Sequence, residues 1–377
     1  DNLYASGLWS QHLYGPAFVA PMRCQAKAPS ASGKYSKSKK PSKTAQLMIH
    51  AEPNDVRAGQ DIYLISESGF AVAATTSPES PVLREFYDAY DLAFTLTNEK
   101  EEFAGFADCL ALNQGEIYAG LSAHFGGFRE YAATIRAPVT GEFIGGMNFI
   151  VLQMGGLKIP QAPYLSVNLN YVFINGQARR RGYFRAIMRE FAPIVMKLFA
   201  ASNPTDVQAA LQRHYLPNPP VYIYIELNDP VRMSKEDYDT DTQISGLDQT
   251  SRIGIWGSLG AKIIDFPYVQ PALSANQKAD PNLVYAVLGV EGGRLHPSNL
   301  RAHLERFFTI SVLKGRCACS DPYAAAQLSA LSKLSRNFES IRLLDLRKLD
   351  FSKDLVTTAN AGSLREMLKK TSFAHKV

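Results

Sequence analysis

The stretch YVFINGQARRRGYFRAIMREF, Tyr171 to Phe191, passes from an apolar run through a turn and three arginines into a helical pattern. Just upstream, Leu165, Val167, Leu169, Tyr171 and Phe173 alternate with Ser166, Asn168 and Asn170. That period predicts a strand over 165–174 with these two sets on opposite faces. Downstream, Phe184, Ile187, Met188, Phe191, Val195 and Leu198 recur at helical spacing, with Arg185, Arg189 and Lys197 outside. Pro193 predicts a kink in that helix or its end near Ala192. Between strand and helix lie Gly176, Arg179-Arg180-Arg181 and Gly182. The first N–H groups of a helix lack internal partners, and its dipole adds positive charge there. Glycine admits close approach of a ligand to the backbone, and arginine clamps phosphate with forked hydrogen bonds. An isolated arginine triplet reads as a solvated turn. Set between an apolar strand and an amphipathic helix, it reads as a pyrophosphate site.

The neighbouring pattern is alternating α/β. Strands are expected at 61–66, 131–136, 142–153, 221–227, 261–266 and 284–290, and helices at 80–95, 101–112, from 298 to about 310, and near 323–334, with another ending at Gly260. In Val221 to Leu227, Tyr222, Tyr224 and Glu226 share one face.

The 377 residues are 46% apolar and 11% aromatic, enough for a large core in one or two domains. The most apolar run, Phe143 to Met154, is too short and glycine-rich to span a bilayer, so no membrane association is expected. Four cysteines exclude a disulfide scaffold. The net charge of +5 has one source: residues 25–46 carry Lys27, Lys34, Lys37, Lys39, Lys40 and Lys43 and no acid. Outside that run, 34 basic residues face 35 acidic ones. The run is rich in Ser, Ala and Pro and reads as a flexible arm, more a solvated tether than a nucleic-acid arm. The expected organisation is an N-terminal segment (1–50) containing this arm, a main domain (51–275) and a C-terminal strand and helix extension (276–377). That extension could cover a cleft, mediate dimerisation or enlarge the core.

Strand, turn, Arg-x-x-Gly-x-(small), helix resembles the acyl-CoA pyrophosphate loop of the GNAT superfamily of N-acetyltransferases. Arg179, Gly182 and Phe184 stand at its three marked positions, Phe184 where the family usually has Gly or Ala. GEFIGGMNFIVLQ (Gly141 to Gln153) is similar to the hairpin leading into the family's third strand. IELNDP (Ile225 to Pro230) resembles its fifth strand, with Asn228 where an Asn often meets the pantetheine arm. RIGIWGSLGAKIIDF (Arg252 to Phe266) resembles the late helix, glycine turn and sixth strand. NDPVRM and DFPYVQPAL look like a little-described bacterial subgroup. The resemblance covers roughly 55–275. It implies a mixed twisted sheet flanked by helices, cytoplasmic location, and transfer of an acetyl or other short acyl group from acyl-CoA to an amine. The acceptor stays open between a small amine and a protein lysine.

The resemblance also implies roles. Arg179, Arg180, Arg181, Gly182, Tyr183 and Phe184 would hold the pyrophosphate, and the backbone of Val172, Phe173 and Ile174 would pair with pantetheine. An N–H near Phe173 or Ile174 would polarise the carbonyl. Glu226, on the face with Tyr222 and Tyr224, is the candidate base; an ordinary carboxylate paired with arginine is the other reading. The family often has Tyr four residues before the glycine matching Gly260, and here that residue is Trp256, whose indole cannot give up a proton. Tyr268 then serves as acid, or the thiolate leaves unaided; Trp256 could line the pocket with Tyr222 and Tyr224. Two other classes stay open: an acyl-CoA-binding regulator without turnover, and a tether whose lysine arm binds nucleic acid or another polyanion. Cys317 and Cys319 have no second pair at zinc spacing, and His296 and His303 lack completing ligands, so no metal is expected. Walker, dinucleotide, zincin and serine-hydrolase motifs are absent.

Overall fold

A computed structural model describes residues 61–94, 101–156, 159–203, 220–274, 277–349 and 362–374. The N-terminal segment and its basic arm lie outside these residues. Ten strands form a sheet in the order β1-β2-β3-β4-β5-β6-β8-β7-β10-β9. In chain order they are β1 (Ile62–Ile65), β2 (Ala71–Thr75), β3 (Phe128–Arg136), β4 (Phe143–Gly156), β5 (Ile159–Ile174), β6 (Val221–Asn228), β7 (Lys262–Ile264), β8 (Leu283–Leu288), β9 (Arg294–Leu295) and β10 (Ile341–Asp345). The pairings are antiparallel apart from β5 with β6. Because β8 pairs with both β6 and β7, the sheet draws strands from beyond residue 275. The fold is therefore a mixed α/β one, a large sheet flanked by helices.

One face of the sheet is apolar. Met147, Phe149, Val151, Leu165, Val167 and Leu169 pack there against Phe184, Ile187, Phe191, Val195 and Leu198 of α4 (Tyr183–Ser202). The same core takes in Ile253 and Trp256 of α6 (Gln249–Ser258). Pro193 lies inside α4 without ending it. Proline removes one ladder bond, but Phe191, Ile194 and Val195 around it are buried on the sheet, and that burial keeps the helix continuous. The opposite face is covered by α1 (Pro81–Ala93), α2 (Phe103–Ala111), α7 (Pro297–Phe307) and α8 (Pro322–Arg336). A π-helical turn, Phe308–Val312, continues α7.

Three elements carry little sequence signal. Ala71–Thr75 is short and alanine-rich, α3 (Gly115–Phe125) has no buried residue, and α5 (Lys235–Ser245) is built largely from poor helix formers. The Ser234 hydroxyl caps α5 by accepting from the Asp237 N–H at 3.0 Å. A buried ion pair between Asp241 and Arg252 joins α5 to α6.

The strand at 165–174 departs from strict alternation. Asn148 pairs with Tyr171 while Phe149 pairs with Leu169, so Asn170 is an extra residue, a β-bulge. Beyond it the faces exchange. Val172 and Ile174 join the apolar core with Leu165, Val167 and Leu169, whereas Tyr171 and Phe173 pack with α1 and α2 on the other side. A bulge inserts one residue into a period of two, which simple alternation does not register.

Candidate functional site

The parallel pair β5–β6 is short. Leu165 to Asn168 are in register with Val221 to Tyr224, and the pairing stops there. Leu169 to Ile174 continue on β5, and Ile225 to Asn228 continue on β6, which pairs on its far side with β8. The two strands therefore separate into a V whose vertex lies at Asn168 and Tyr224. The bulge at Asn170 sits just past that vertex, consistent with the way bulges bend a strand and end its pairing.

At the open end of β5 the chain makes one 3-10 turn, Gly176–Ala178, and enters α4. Gly182 is the N-cap, with φ of 77° and no side-chain cap bond. A Cβ placed on it would meet nothing within 4 Å, so the space beside this N-cap is open. Arg180, Arg181 and Gly182 are exposed. Arg181 pairs with Glu142 at 3.3 Å. Arg179 is tied into the frame, donating to the Ile174 carbonyl at 3.3 Å and to the Ser245 carbonyl at 3.0 Å. Tyr183 packs edge-on against Phe70. Phe184 is buried edge-on against Trp256, ring centroids 5.2 Å apart. Val172, Phe173 and Ile174 are buried in the sheet, and Asn228 is buried at the far end of β6 with its carbonyl accepting from Gln249 Nε2 at 3.0 Å.

Near the vertex, on the polar face, lies a small pocket of about 40 Å³. Glu226 lines it with Glu101, Asn148, Asn170, Gln270 and Ser311, while Phe106, Tyr171, Leu273, Phe307 and Val312 give the apolar part. Phe307, Ser311 and Val312 come from α7 and its π-turn, so the C-terminal residues form one wall.

Tyr268 donates its hydroxyl hydrogen to Glu226 Oε1, and its oxygen lies 2.7 Å from the Gln270 side-chain amide. Burial, and then the negative charge of Glu226, push the Tyr268 phenol well above its ordinary range, so it stays protonated. The segment is held from both sides. Gln327 of α8 brackets Val269, donating to its carbonyl at 2.8 Å and accepting from its N–H at 3.1 Å, and Gln270 bridges Asp280 through the backbone.

Of the residues expected to share the acceptor side, the structure brings Glu226 and Tyr268 together and places the other three elsewhere. Tyr222 is half-buried against Tyr164, ring centroids 4.9 Å apart. Tyr224 is fully buried and stacks on His303, ring centroids 3.9 Å apart. Trp256 lies in the apolar core on the opposite face.

Several polar residues that the sequence pattern does not single out are present. Glu130 on β3 is completely buried, accepts from the Ser311 hydroxyl at Oε1 and has no hydrogen-bond partner at Oε2. Burial raises its pKa to about 7, against the smaller opposing effect of Ser311. Cys109, at the pocket wall, donates to the Ser311 carbonyl at 3.4 Å, and burial raises its thiol well above the usual range. Among the described residues, no three or more His, Cys, Asp or Glu side chains are grouped to hold a metal ion. No described helix is long and apolar enough to cross a membrane.

No family model and no curated protein matches the chain. Among solved structures, an acetyltransferase from Bacillus subtilis in complex with CoA is similar over 51% of this chain and 95% of its own, at 10% identity. Its TM-score of 0.21 is too low for the likeness to carry an argument.

Proposed function

We propose that this chain transfers a short acyl group, acetyl in the simplest case, from acyl-CoA to an amine, as its sequence resemblance to the GNAT superfamily implies. The observation that carries the reading is the V between β5 and β6, which joins an uncapped, arginine-flanked helix N-terminus to a pocket containing a carboxylate. A diphosphate fits the former, because a helix N-terminus attracts anions, the space beside Gly182 is open, and Arg180 and Arg181 are exposed next to it. A pantetheine arm carries amides, and the β6-facing edge of Leu169 to Ile174 offers main-chain partners to them.

The thioester supplies the activated acyl carbon. The amine nitrogen bonds to that carbon, the C–S bond breaks, and the sulfur keeps the electron pair. Glu226 accepts the proton that the nitrogen must shed, which returns to the thiolate or to water. Tyr268 acts here as the donor that orients Glu226: its hydrogen is already engaged, and its raised pKa makes it a poor acid for sulfur. An unperturbed thiol has a pKa of about 8.5, so the thiolate can leave without a protein acid. Arg179, bonded to Ile174 and Ser245, supports the loop rather than reaching outward.

Isothermal titration with acetyl-CoA tests this. Arg180→Ala with Arg181→Ala should weaken binding at least ~10-fold, about 1.4 kcal/mol. Affinity unchanged in the double variant, or no binding by the wild type, overturns the reading.

A further inference from the structure

A second observation on the polar face bears on what the pocket accepts. A hydrogen-bond chain runs from the helix that follows β9 across three strands to the pocket wall. Ser166 Oγ lies 2.7 Å from His303 Nδ1, and His303 Nε2 lies 2.7 Å from Tyr285 Oη. Tyr285 bonds Asn168 Oδ1. Asn168 Nδ2 reaches Asn170 Oδ1 at 2.8 Å, Asn170 Nδ2 reaches Asn148 Oδ1 at 3.1 Å, and Asn148 Nδ2 reaches the Tyr131 carbonyl at 2.9 Å. Ser166, Asn168, Tyr285 and His303 are buried, and Asn148 and Asn170 face the pocket.

The direction of this chain follows from its last member. A main-chain carbonyl can only accept, so Asn148 must turn Nδ2 towards Tyr131 and Oδ1 towards Asn170. Asn170 must then donate to Asn148 and accept from Asn168, and Asn168 must accept from the Tyr285 hydroxyl. With its one hydrogen spent, Tyr285 accepts from His303 Nε2–H, and Nδ1 accepts from Ser166. This is the neutral ε tautomer, in keeping with burial that holds the His303 pKa well below the ordinary range. Reversing any link would set oxygen against oxygen at Tyr131 or leave a buried amide unpaired.

Each carboxamide nitrogen carries two hydrogens, and the chain uses one from Asn170 and one from Asn148. We infer, building on the acyl-transfer reading, that the remaining N–H groups of Asn148 and Asn170 are specificity-determining donors for an oxygen on the acceptor amine. His303 and Tyr285 are positioning residues that lock their orientation. Glu101 is held by Lys314 at 3.4 Å, which leaves Glu226 as the carboxylate to meet a ligand's charge. No Lys, Arg or His lines the pocket, so the matching ligand is a small cationic amine bearing an ether or hydroxyl oxygen.

The test compares 2-methoxyethylamine with butylamine, a pair of equal chain length that differs in one acceptor oxygen, using thiol release from acetyl-CoA. The wild type should favour the ether at least ~10-fold in kcat/KM, because a site built to donate loses a hydrogen bond with the alkyl analogue. Tyr285→Phe and, separately, Asn170→Ala should bring that ratio towards one with acetyl-CoA affinity unchanged. Absence of acetyl-CoA binding sinks the acyl-transfer reading and this assignment with it. Turnover of both amines by the wild type at equal kcat/KM overturns this assignment alone and needs no variant to fold. A ratio that survives Tyr285→Phe removes the positioning role.

Discussion

The two faces of one sheet are built on opposite principles. Towards α4, Phe149, Val151, Val167 and Leu169 meet Phe191, Val195 and Leu198, an all-apolar layer that asks only for volume. Towards the C-terminal helices, the same strands turn in Glu130, Asn148, Ser166, Asn168 and Glu226, each 4% exposed or less. An unpaired buried polar group costs about 1–3 kcal/mol, so this face can exist only as a network with nearly every link made. Exceptions among the described residues of this face include Glu130 Oε2, beside the pocket-lining Ser311, and the Tyr224 hydroxyl. The apolar face holds the fold, and the polar face carries the proposed chemistry.

The sharpest test of that division starts on the apolar side. Phe191→Ala should lower stability to urea by about 3–5 kcal/mol, the range for a buried aromatic truncated to a cavity. A loss under 1 kcal/mol would show that α4 does not anchor the sheet. Next comes Glu130, whose carboxyl has its pKa raised from 4.5 to about 7 in the folded protein. A raised acid binds its proton more tightly when folded, so its full stabilising contribution is present below about pH 4.5 and is lost as pH rises to about 7. Glu130→Gln keeps an acceptor for Ser311 and should gain up to about 3 kcal/mol over the wild type above pH 7, with little difference at pH 4.5. Chemical denaturation at the two pH values decides it, and a difference independent of pH would place the carboxylate in a wetter setting. The smallest effect is reserved for Glu226. Glu226→Gln should cut kcat about 100-fold and abolish the acidic limb of the pH–rate profile. If stability falls as far as in Phe191→Ala while kcat holds, the polar face is structural and the contrast drawn above fails.

Much of the frame is legible in the residues themselves. The expected strand at 221–227 and the helix from Phe184 match β6 and α4 because each carries an unbroken apolar period. The glycine-flanked arginines do stand at a helix N-terminus. Phe184 and Trp256, the two residues that differ from the pattern the sequence resembles, prove to be neighbours in space, packed edge-on between α4 and α6. The pocket was far less legible. Glu130 and Ser311 are 181 positions apart, and Ser166 and His303 are 137 apart, so no local period links them. His303, read alone, is one more residue on an amphipathic helix.

The residue periods of this chain, by themselves, determined the alternating α/β pattern, the turn into α4 and the presence of a carboxylate on the inner strand, since each depends on neighbours within about one turn or one strand. Tertiary structure alone decided which polar residues meet. The single-residue bulge at Asn170 exchanges the faces of β5, bringing Tyr171 and Phe173 to the side of Asn168 and turning Val172 and Ile174 into the core. That exchange arises from pairing between strands, where one extra residue on β5 must be absorbed opposite β4, and a pairing register belongs to two segments at once.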